Sequence, residues 1–342
     1  MAVAYGLLSY LTAYLKVHYT IYFMAALLTS KSDKVQKISF IINDCKRLGI
    51  KVSPPNVNFS NSYFTAIPEK SEILFGLQAI KGMGDSVVTK ILEQRPYKGL
   101  NDLSDRLQDK SAVITLIKCG AIPTNNKMKS LQKYATLQFP KREYKDVTTT
   151  PSPYIKLLDF GLDVKDYKEG RKVDKERLLK DYNNIRRERF NKEQDEKYKK
   201  YMEEFFAKYA TEEYMWEFQT LSMFLTHDPL ESSYDYLDTV WDDIEDGEKA
   251  VLLCVIVDIK RKKDKHNNQF AYLDLYTPFG IVEATIWSAQ LKNYSENIEK
   301  GKCLAILGRK NDGGHFFVEK VKPYSQWLND KIFKKKGATD GK

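Results

Sequence analysis

The sequence predicts a multidomain chain, helical through its first two thirds and all-β in its last third. Three patterns predict this. Apolar residues recur at helical spacing with tight glycine turns from about residue 4 to 122. A run dominated by Lys, Arg, Glu, Asp and Tyr then fills 165–215, and strict two-residue alternation starts near 249.

With 342 residues the chain is long enough for two or three domains and a sizeable core. Hydrophobic residues make up 42% and the formal net charge is +9. A basic balance of that size suits a polyanion partner. Charge alone does not separate that from an ordinary basic surface. Cys45, Cys119, Cys254 and Cys303 are isolated, and His18, His227, His266 and His315 are scattered. This excludes zinc-ligand spacing and suits a reducing compartment, with each thiol expected in the core. Residues 2–30 are rich in Leu, Ala and Tyr, but no basic segment precedes them, no cleavage site follows, and Lys16 and His18 interrupt them. A signal peptide or membrane span is therefore not expected.

Residues 4–28 read as one or two buried helices, with Leu8, Leu11, Leu15 and Tyr22 on one face and Ser9, Thr12, Lys16 and Thr20 on another. A second amphipathic helix follows in DKVQKISFIINDCKRLGI. Its stripe is Val35, Ile38, Ile41 or Ile42, Cys45 and Leu48, and Gly49 ends it in the left-handed conformation. SPPNVNFSNS is irregular because Pro54 and Pro55 block regular pairing. Strand-like pieces come at Tyr63–Ile67 and Ile73–Leu77. Residues 125–160 have weak periodicity, and TTTPSP reads as a linker. The run KERLLKDYNNIRRERFNKEQDEKYKKYMEEFFAKY reads as a long solvated helix with opposite charges one turn apart; a coiled coil or a DNA-tracking helix are alternatives.

AVLLCVIVDIK, QFAYLDLY, GIVEATIW, KCLAILGR and HFFVEKV are strand candidates at hairpin-like spacing. Such short strands predict a small barrel of the oligonucleotide-binding (OB) type. The tail KIFKKKGATDGK is expected to be disordered.

The strongest local signal is FGLQAIKGMGDSVVTKIL, a helix-hairpin-helix pattern. Gly82 and Gly84, flanking Met83, let the backbone turn sharply and approach a phosphate. The free N–H groups at the next helix start, including that of Ser86, would point at it. Lys81 and Lys90 would add charge, and Asp85 would cap the helix. Such a hairpin grips backbone without reading bases. A lone glycine turn would favour an ordinary corner, but a second unit follows in NDLSDRL and SAVITLIKCGAI, with a degenerate turn at Lys118–Ala121.

The barrel segment carries the second signal. Lys260, Arg261, Lys262, Lys263 and Lys265 sit in a basic first loop, KRKKDKHNN, and Phe270, Tyr272 and Trp287 follow. Cations draw in phosphates and aromatic faces stack bases, so these are the candidate single-strand contacts. Strand alternation sends some of the barrel's aromatics inward. No phosphate-binding glycine loop, HExxH, nucleophile elbow or cysteine–histidine pair is present. Asp242–Asp246 and Glu203–Glu204 read as surface acids. No catalytic or metal-ligating residue is assigned.

The chain as a whole resembles the C family of DNA polymerases, the bacterial polymerase III alpha subunit and its phage relatives. VAYGLLSYLTAYLKVHYTIYFMAALLTS resembles the end of that family's fingers domain, and DKVQKISFIINDCKRLGIKVSPPNVNFSNSYFT the stretch after it. FGLQAIKGMGDSVVTKILEQRPYKGLNDLSDRL with LIKCGAI resembles its tandem hairpin domain. LSMFLTHDPL resembles the motif before its OB domain, and FAYLDLYTPFGIVEATIW resembles that OB domain. The order agrees apart from the charged insertion around 125–215.

The resemblance implies a fingers remnant over 1–66, a tandem helix-hairpin-helix domain over 67–125, a linker and charged helical region over 126–245, an OB domain over 246–323 and a basic tail over 324–342. It implies a DNA-binding part of a split or truncated replicative polymerase, with primer-template and single-stranded template DNA as partners. The family's palm aspartates are absent, so Mg2+ would be held only by a palm-bearing polypeptide elsewhere. A sliding clamp is a further family partner, but no convincing clamp motif is found; Gln219–Phe224 reads as helix core. The expected compartment is the cytoplasm of a bacterium or phage-infected host. The rival readings are a stand-alone non-catalytic DNA-binding accessory protein and an inactive relic.

Overall fold

The structure, a computed structural model, describes residues 2–32, 35–124, 126–210, 212–236, 241–311 and 313–339. It divides into two compact units, Met1–Lys127 with Glu212–Lys342, and Met128–Thr211.

The first unit opens with helices α1 (Ala2–His18), α2 (Thr20–Ser30) and α3 (Val35–Arg47). Burial was expected for α1, but residues 3–19 are all exposed, Leu8, Leu11 and Leu15 among them. α2 bends 119° away from α1 and buries Met24, Ala25 and Leu28. Among the described residues no single helix is long and apolar enough to cross a membrane. α3 buries Ile38, Ile41, Ile42 and Cys45, as its stripe predicts, but Leu48 stays exposed; the side chain of Val35 lies outside the described residues. Gly49, at φ +71°, closes the helix, and the Ile50 N–H donates to the Cys45 carbonyl at 2.8 Å.

A three-stranded sheet follows: β1 (Lys51–Ser53), β2 (Thr65–Ile67) and β3 (Glu72–Leu74), with β3 in the middle. β1 has no sequence signal because it is short and pairs in parallel with a strand some twenty residues on. Helices α4 (Asp85–Glu93), α5 (Leu100–Leu107) and α6 (Lys110–Lys118) come next. They bury Val88, Ile91, Leu103, Leu107, Val113, Leu116 and Ile117. Asp109 caps α6 by accepting from the Ala112 N–H at 2.9 Å.

The second unit comprises most of α7 (Lys127–Gln138), a two-residue hairpin of β4 (Lys168–Glu169) and β5 (Lys172–Val173), and α8 (Lys175–Tyr209). The region expected as a linker has a core here: Leu157, Leu162 and Tyr167 pack on Leu178 and Tyr182 of α8. Beyond that patch α8 is largely solvated, as its charge pattern predicts.

The chain then returns to the first unit with α9 (Glu213–Leu221). The barrel follows: β6 (Lys249–Lys263), β7 (Gln269–Thr277), β8 (Gly280–Ile286), α10 (Ser288–Asn293), β9 (Cys303–Lys310) and β10 (Phe316–Pro323). The sheet closes in the order β10-β8-β7-β6-β9, with β10 parallel to β8 and all other pairs antiparallel. A closed five-stranded Greek-key barrel with a helix between its third and fourth strands is the OB arrangement. Ala271, Leu273 and Leu275 of β7 point inward against Ala284 and Ile286. The basic segment expected as a loop is mostly strand, since β6 runs to Lys263 and only Asp264–Asn268 turn. The tail expected to be disordered forms α11 (Tyr324–Thr339); residues 340–342 lie outside the described residues.

Gly308 in β9 lets the Phe316 ring lie against the backbone. A Cβ there would come within 2.4 Å of that ring and 2.3 Å of the Phe317 carbonyl oxygen. Gly308→Ala is expected to cost about 1–3 kcal/mol through overpacking, measured as a lower denaturation midpoint of the full chain.

Candidate nucleic-acid interface

The first hairpin is built by a short 3-10 turn at Leu77–Ala79, the Lys81–Gly84 turn and α4. Gly82 stands at φ +80°, a conformation that L side chains adopt only with strain. Gly84 is the residue that precedes α4, at φ −75° and ψ 157°, and offers no side-chain cap. Asp85 is the first helical residue and not the cap; its carboxylate accepts from Gln78 Nε2 at 2.9 Å. Among the described residues, the N–H groups of Gly84, Asp85 and Ser86 have no intramolecular acceptor. A Cβ at Gly82 or Gly84 would meet nothing within 4 Å, so the approach to these groups is open. Three unpaired N–H groups at the positive end of a helix dipole, behind an open glycine turn, suit an anion.

The lysines are placed otherwise than the sequence suggests. Lys81 lies over the Phe218 ring of α9, with Nζ 5.8 Å from the centroid, and its N–H donates to the Thr220 carbonyl at 2.8 Å. Lys90 donates to the Leu107 carbonyl at 2.6 Å and so ties α4 to the end of α5. Met83 is buried, whereas Ser86 is exposed. Lys118, which precedes the second turn as Lys81 precedes the first, sits 5.5 Å over Trp216. Partial burial lowers both ammonium groups from the usual lysine range, and Lys300 lowers Lys81 further.

The second turn is closed. Gly120 stands at φ +76°, but the Lys127 side chain lies 3.1 Å from where a Cβ would be, and the Ala121 carbonyl accepts from the Val57 N–H at 2.9 Å. The donors that a phosphate would need are also taken, since the Gly120 and Ala121 N–H groups donate to the carbonyls of Ile117 and Leu116 at 3.2 and 3.0 Å. Among the described residues of the two hairpins, it is the first that keeps an open turn.

On the barrel, cross-strand register gathers one outer face. Phe270 pairs with Lys262, Tyr272 pairs with Lys260 and Thr285, and Thr285 also pairs with Phe317. Trp287 closes the group. Phe270 lies 5.4 Å from Tyr272 and 5.3 Å from Trp287, while Trp287 stacks on Phe317 at 6.4 Å and 20°. His315 joins Tyr272 and Phe317 and shares a 2.6 Å hydrogen bond with the Thr285 hydroxyl. Trp287 is 48% and Tyr272 37% exposed, so ring faces remain open to solvent. Sequence reasoning misses His315 and Phe317. They reach the face only through the parallel β10–β8 pairing, which no local pattern announces.

The basic residues divide. Lys262 sits 5.0 Å over Tyr272, on the aromatic face. Lys260 shares that face but lies 3.9 and 3.8 Å from the carboxylates of Asp258 and Asp274. Arg261 turns away and donates to the Ile298 carbonyl at 3.3 Å. Lys263 and Lys265 flank an exposed turn held by Asp264, which accepts from the N–H groups of His266 and Asn268 at 2.8 and 2.9 Å.

The hairpin and barrel are joined through α9 and LSMFLTHDPL. Buried Glu217 accepts from the N–H groups of Leu225 and Thr226 at 3.1 and 3.0 Å, and from the Thr226 hydroxyl at 2.7 Å. Asp228 accepts from the Tyr276 hydroxyl of β7 at 3.0 Å. Met223 and Phe224 are buried, consistent with Gln219–Phe224 as core. Cys45 and Cys119 are buried, and burial pushes each thiol up to about 12, which leaves them protonated. No group of His, Cys, Asp and Glu able to hold a metal ion occurs among the described residues.

An OB barrel fixed to an open helix-hairpin-helix turn defines the class. Residues 49–130 match the helix-hairpin-helix motif family. The chain is related to DNA polymerase III alpha subunits, as its sequence resemblance implies. It is 45% identical to that of Thermus aquaticus over 129 residues, covering 35% of this chain and 10% of the relative. It is 25% identical to that of Campylobacter jejuni over 98% of this chain and 28% of the relative. It is 26% identical to that of Aquifex aeolicus over 90% of this chain and 23% of the relative. The chain thus spans between about a tenth and somewhat over a quarter of these relatives' length. A mitochondrial single-stranded DNA binding protein from S. cerevisiae, Rim1, is 12% identical with a TM-score of 0.21, over 23% of this chain and 94% of that one. The OB assignment rests on strand connectivity and not on that likeness.

Glu217→Ala would remove the buried carboxylate that the N–H groups of half-buried Leu225 and exposed Thr226 and the Thr226 hydroxyl share. The expected cost is about 2–4 kcal/mol, since these are several bonds to a charged acceptor. Hydrogen exchange should show the Leu225 and Thr226 amides losing protection before the barrel strands do.

Proposed function

We propose that this chain is a DNA-handling part of a polymerase III alpha-like replicative polymerase. The hairpin grips duplex backbone through the open start of α4. The barrel holds single-stranded template on the Phe270, Tyr272, Trp287, His315 and Phe317 face. The catalytic carboxylates and their metal ions belong to a palm outside these 342 residues. The exposed apolar length of α1 supports contact with that catalytic part. The observation that carries the reading is the pairing, in one compact unit, of an open helix N-terminus behind Gly84 with an aromatic face bordered by Lys262.

The two surfaces are tested separately. Gly84 has an ordinary φ and open space above it, so Gly84→Val should fold normally and only block phosphate approach. Duplex affinity should fall about tenfold, or ~1.4 kcal/mol, in a titration at fixed salt. Unchanged affinity removes the hairpin from the interface. Trp287→Ala should weaken binding of a short oligothymidylate by about 1–3 kcal/mol, the usual worth of one stacked base. Equal affinity of parent and variant would argue against the barrel face.

A further inference from the structure

We infer that the second unit carries a single-strand nucleic-acid groove of its own, along α8. Two adjoining cavities, of about 300 and 340 Å3, share Phe190 as a wall. One is lined by Tyr144, Phe160, Arg186 and Arg189. The other is lined by Phe139, Lys141, Arg142 and Tyr198.

The groove is a built one. Buried Asn183 of α8 accepts from the Val147 N–H and donates to the Val147 carbonyl, both at 3.0 Å, so the extended segment forming one wall is pinned. Arg187 reinforces it with two bonds to Asp146, at 3.0 and 2.9 Å. Arg186 lies 5.6 Å from both the Tyr144 and Tyr182 rings, and its Nη1 is buried without an acceptor. Arg189 stacks 4.4 Å over Phe160. One of the groove's acids, Glu193, is engaged by Lys197, and this pair and Arg142 hold its carboxyl below the usual range. Glu143 and Asp195 are the others in the two linings.

Cations alternating with aromatic faces suit phosphates alternating with bases. An acidic peptide would use the cations and leave the rings unused. A phosphate in the groove would meet the guanidinium groups of Arg186 and Arg189, which line one cavity, as charge-assisted donors. Single-stranded nucleic acid is therefore the ligand the chemistry fits. This surface lies in a different unit from the hairpin and barrel surfaces, so its failure and theirs are distinguishable.

The test is ultraviolet crosslinking of the full chain, in a Trp287→Ala background, to an oligothymidylate and to an oligouridylate, with adducts mapped by mass spectrometry. Adducts on the peptides containing Tyr144 or Phe190 are expected. Charge reversal at three exposed positions, Lys141→Glu, Arg142→Glu and Lys145→Glu, should abolish them without unfolding the chain. It should also reduce the salt slope of single-strand binding by about 2, given ~0.7 for each phosphate no longer neutralised. Stronger adducts with one oligonucleotide would assign the groove to DNA or RNA. Adducts confined to barrel peptides with an unaltered slope would overturn the inference. So would a groove that yields no adduct but binds polyglutamate.

Discussion

The buried carboxylate of Glu217 is the interaction on which the arrangement of the first unit depends. It satisfies three donors of the chain that leaves α9 and so fixes the path from that helix to the barrel. Trp216, fully buried on the same helix, packs beside α6, and the Thr220 carbonyl receives the Lys81 N–H from the hairpin turn. On the barrel side Phe218 and Phe224 close around Tyr276, whose hydroxyl is taken by Asp228. A buried charge left unmatched would be costly, but here hydrogen bonds supply its solvation and its cost becomes directional specificity. The hairpin and the barrel are thereby held as parts of one body.

This seam also explains why the lysines of the hairpin motif are not where charge counting would put them. Lys81 and Lys118 lie on α9 aromatic rings, and Lys90 closes a helix end. What the first turn keeps is backbone: Gly82 in the left-handed region, Gly84 extended, and N–H groups without acceptors. A site of that kind recognises an anion through fixed dipoles at short range, and side-chain charge is secondary to it. The second turn retains a similar glycine, yet Lys127 covers it and the Gly120 and Ala121 N–H groups are spent on the carbonyls of Ile117 and Leu116. Of two turns similar in sequence, burial leaves one open.

The legible parts of the sequence are those written in local periodicity. All five barrel strands stand within a residue or two of their alternating segments, except that β6 runs on through Lys263, because alternation is imposed by one buried face. The KGMG turn is legible for the same local reason. What escapes is set by distant pairing. β1 exists only through β3, and His315 and Phe317 join the aromatic face only through the parallel β10–β8 pairing. The direction of Arg261 follows from strand parity, but reading it needs the register that the closed barrel fixes. The core of the second unit is illegible for a different reason. Leu157, Leu162 and Tyr167 are spread over short turns with no repeating period, and they meet buried Leu178 and Tyr182 of the charged helix α8.

The length of α1 is the remaining physical problem. Val3, Leu7, Leu8, Tyr10, Leu11, Leu15 and Val17 all face solvent, although α2 beside it buries Met24 and Leu28 normally. A contiguous apolar helix face of this extent favours association over hydration, since its removal from water is worth roughly 25 cal/mol per Å2. The bend at Tyr19 separates the two behaviours: before it the helix is exposed along its length, and after it the chain enters the core. The polar residues of α1 do not compensate. The hydroxyl of Thr12 folds back on the carbonyl of Leu8 at 2.7 Å, and that of Thr20, at the start of α2, folds back on the carbonyl of Lys16 at 2.8 Å, so both present less polarity outward. A helix that exposes its leucines in this way keeps apolar surface available for contact. The catalytic part proposed for this chain would cover that face.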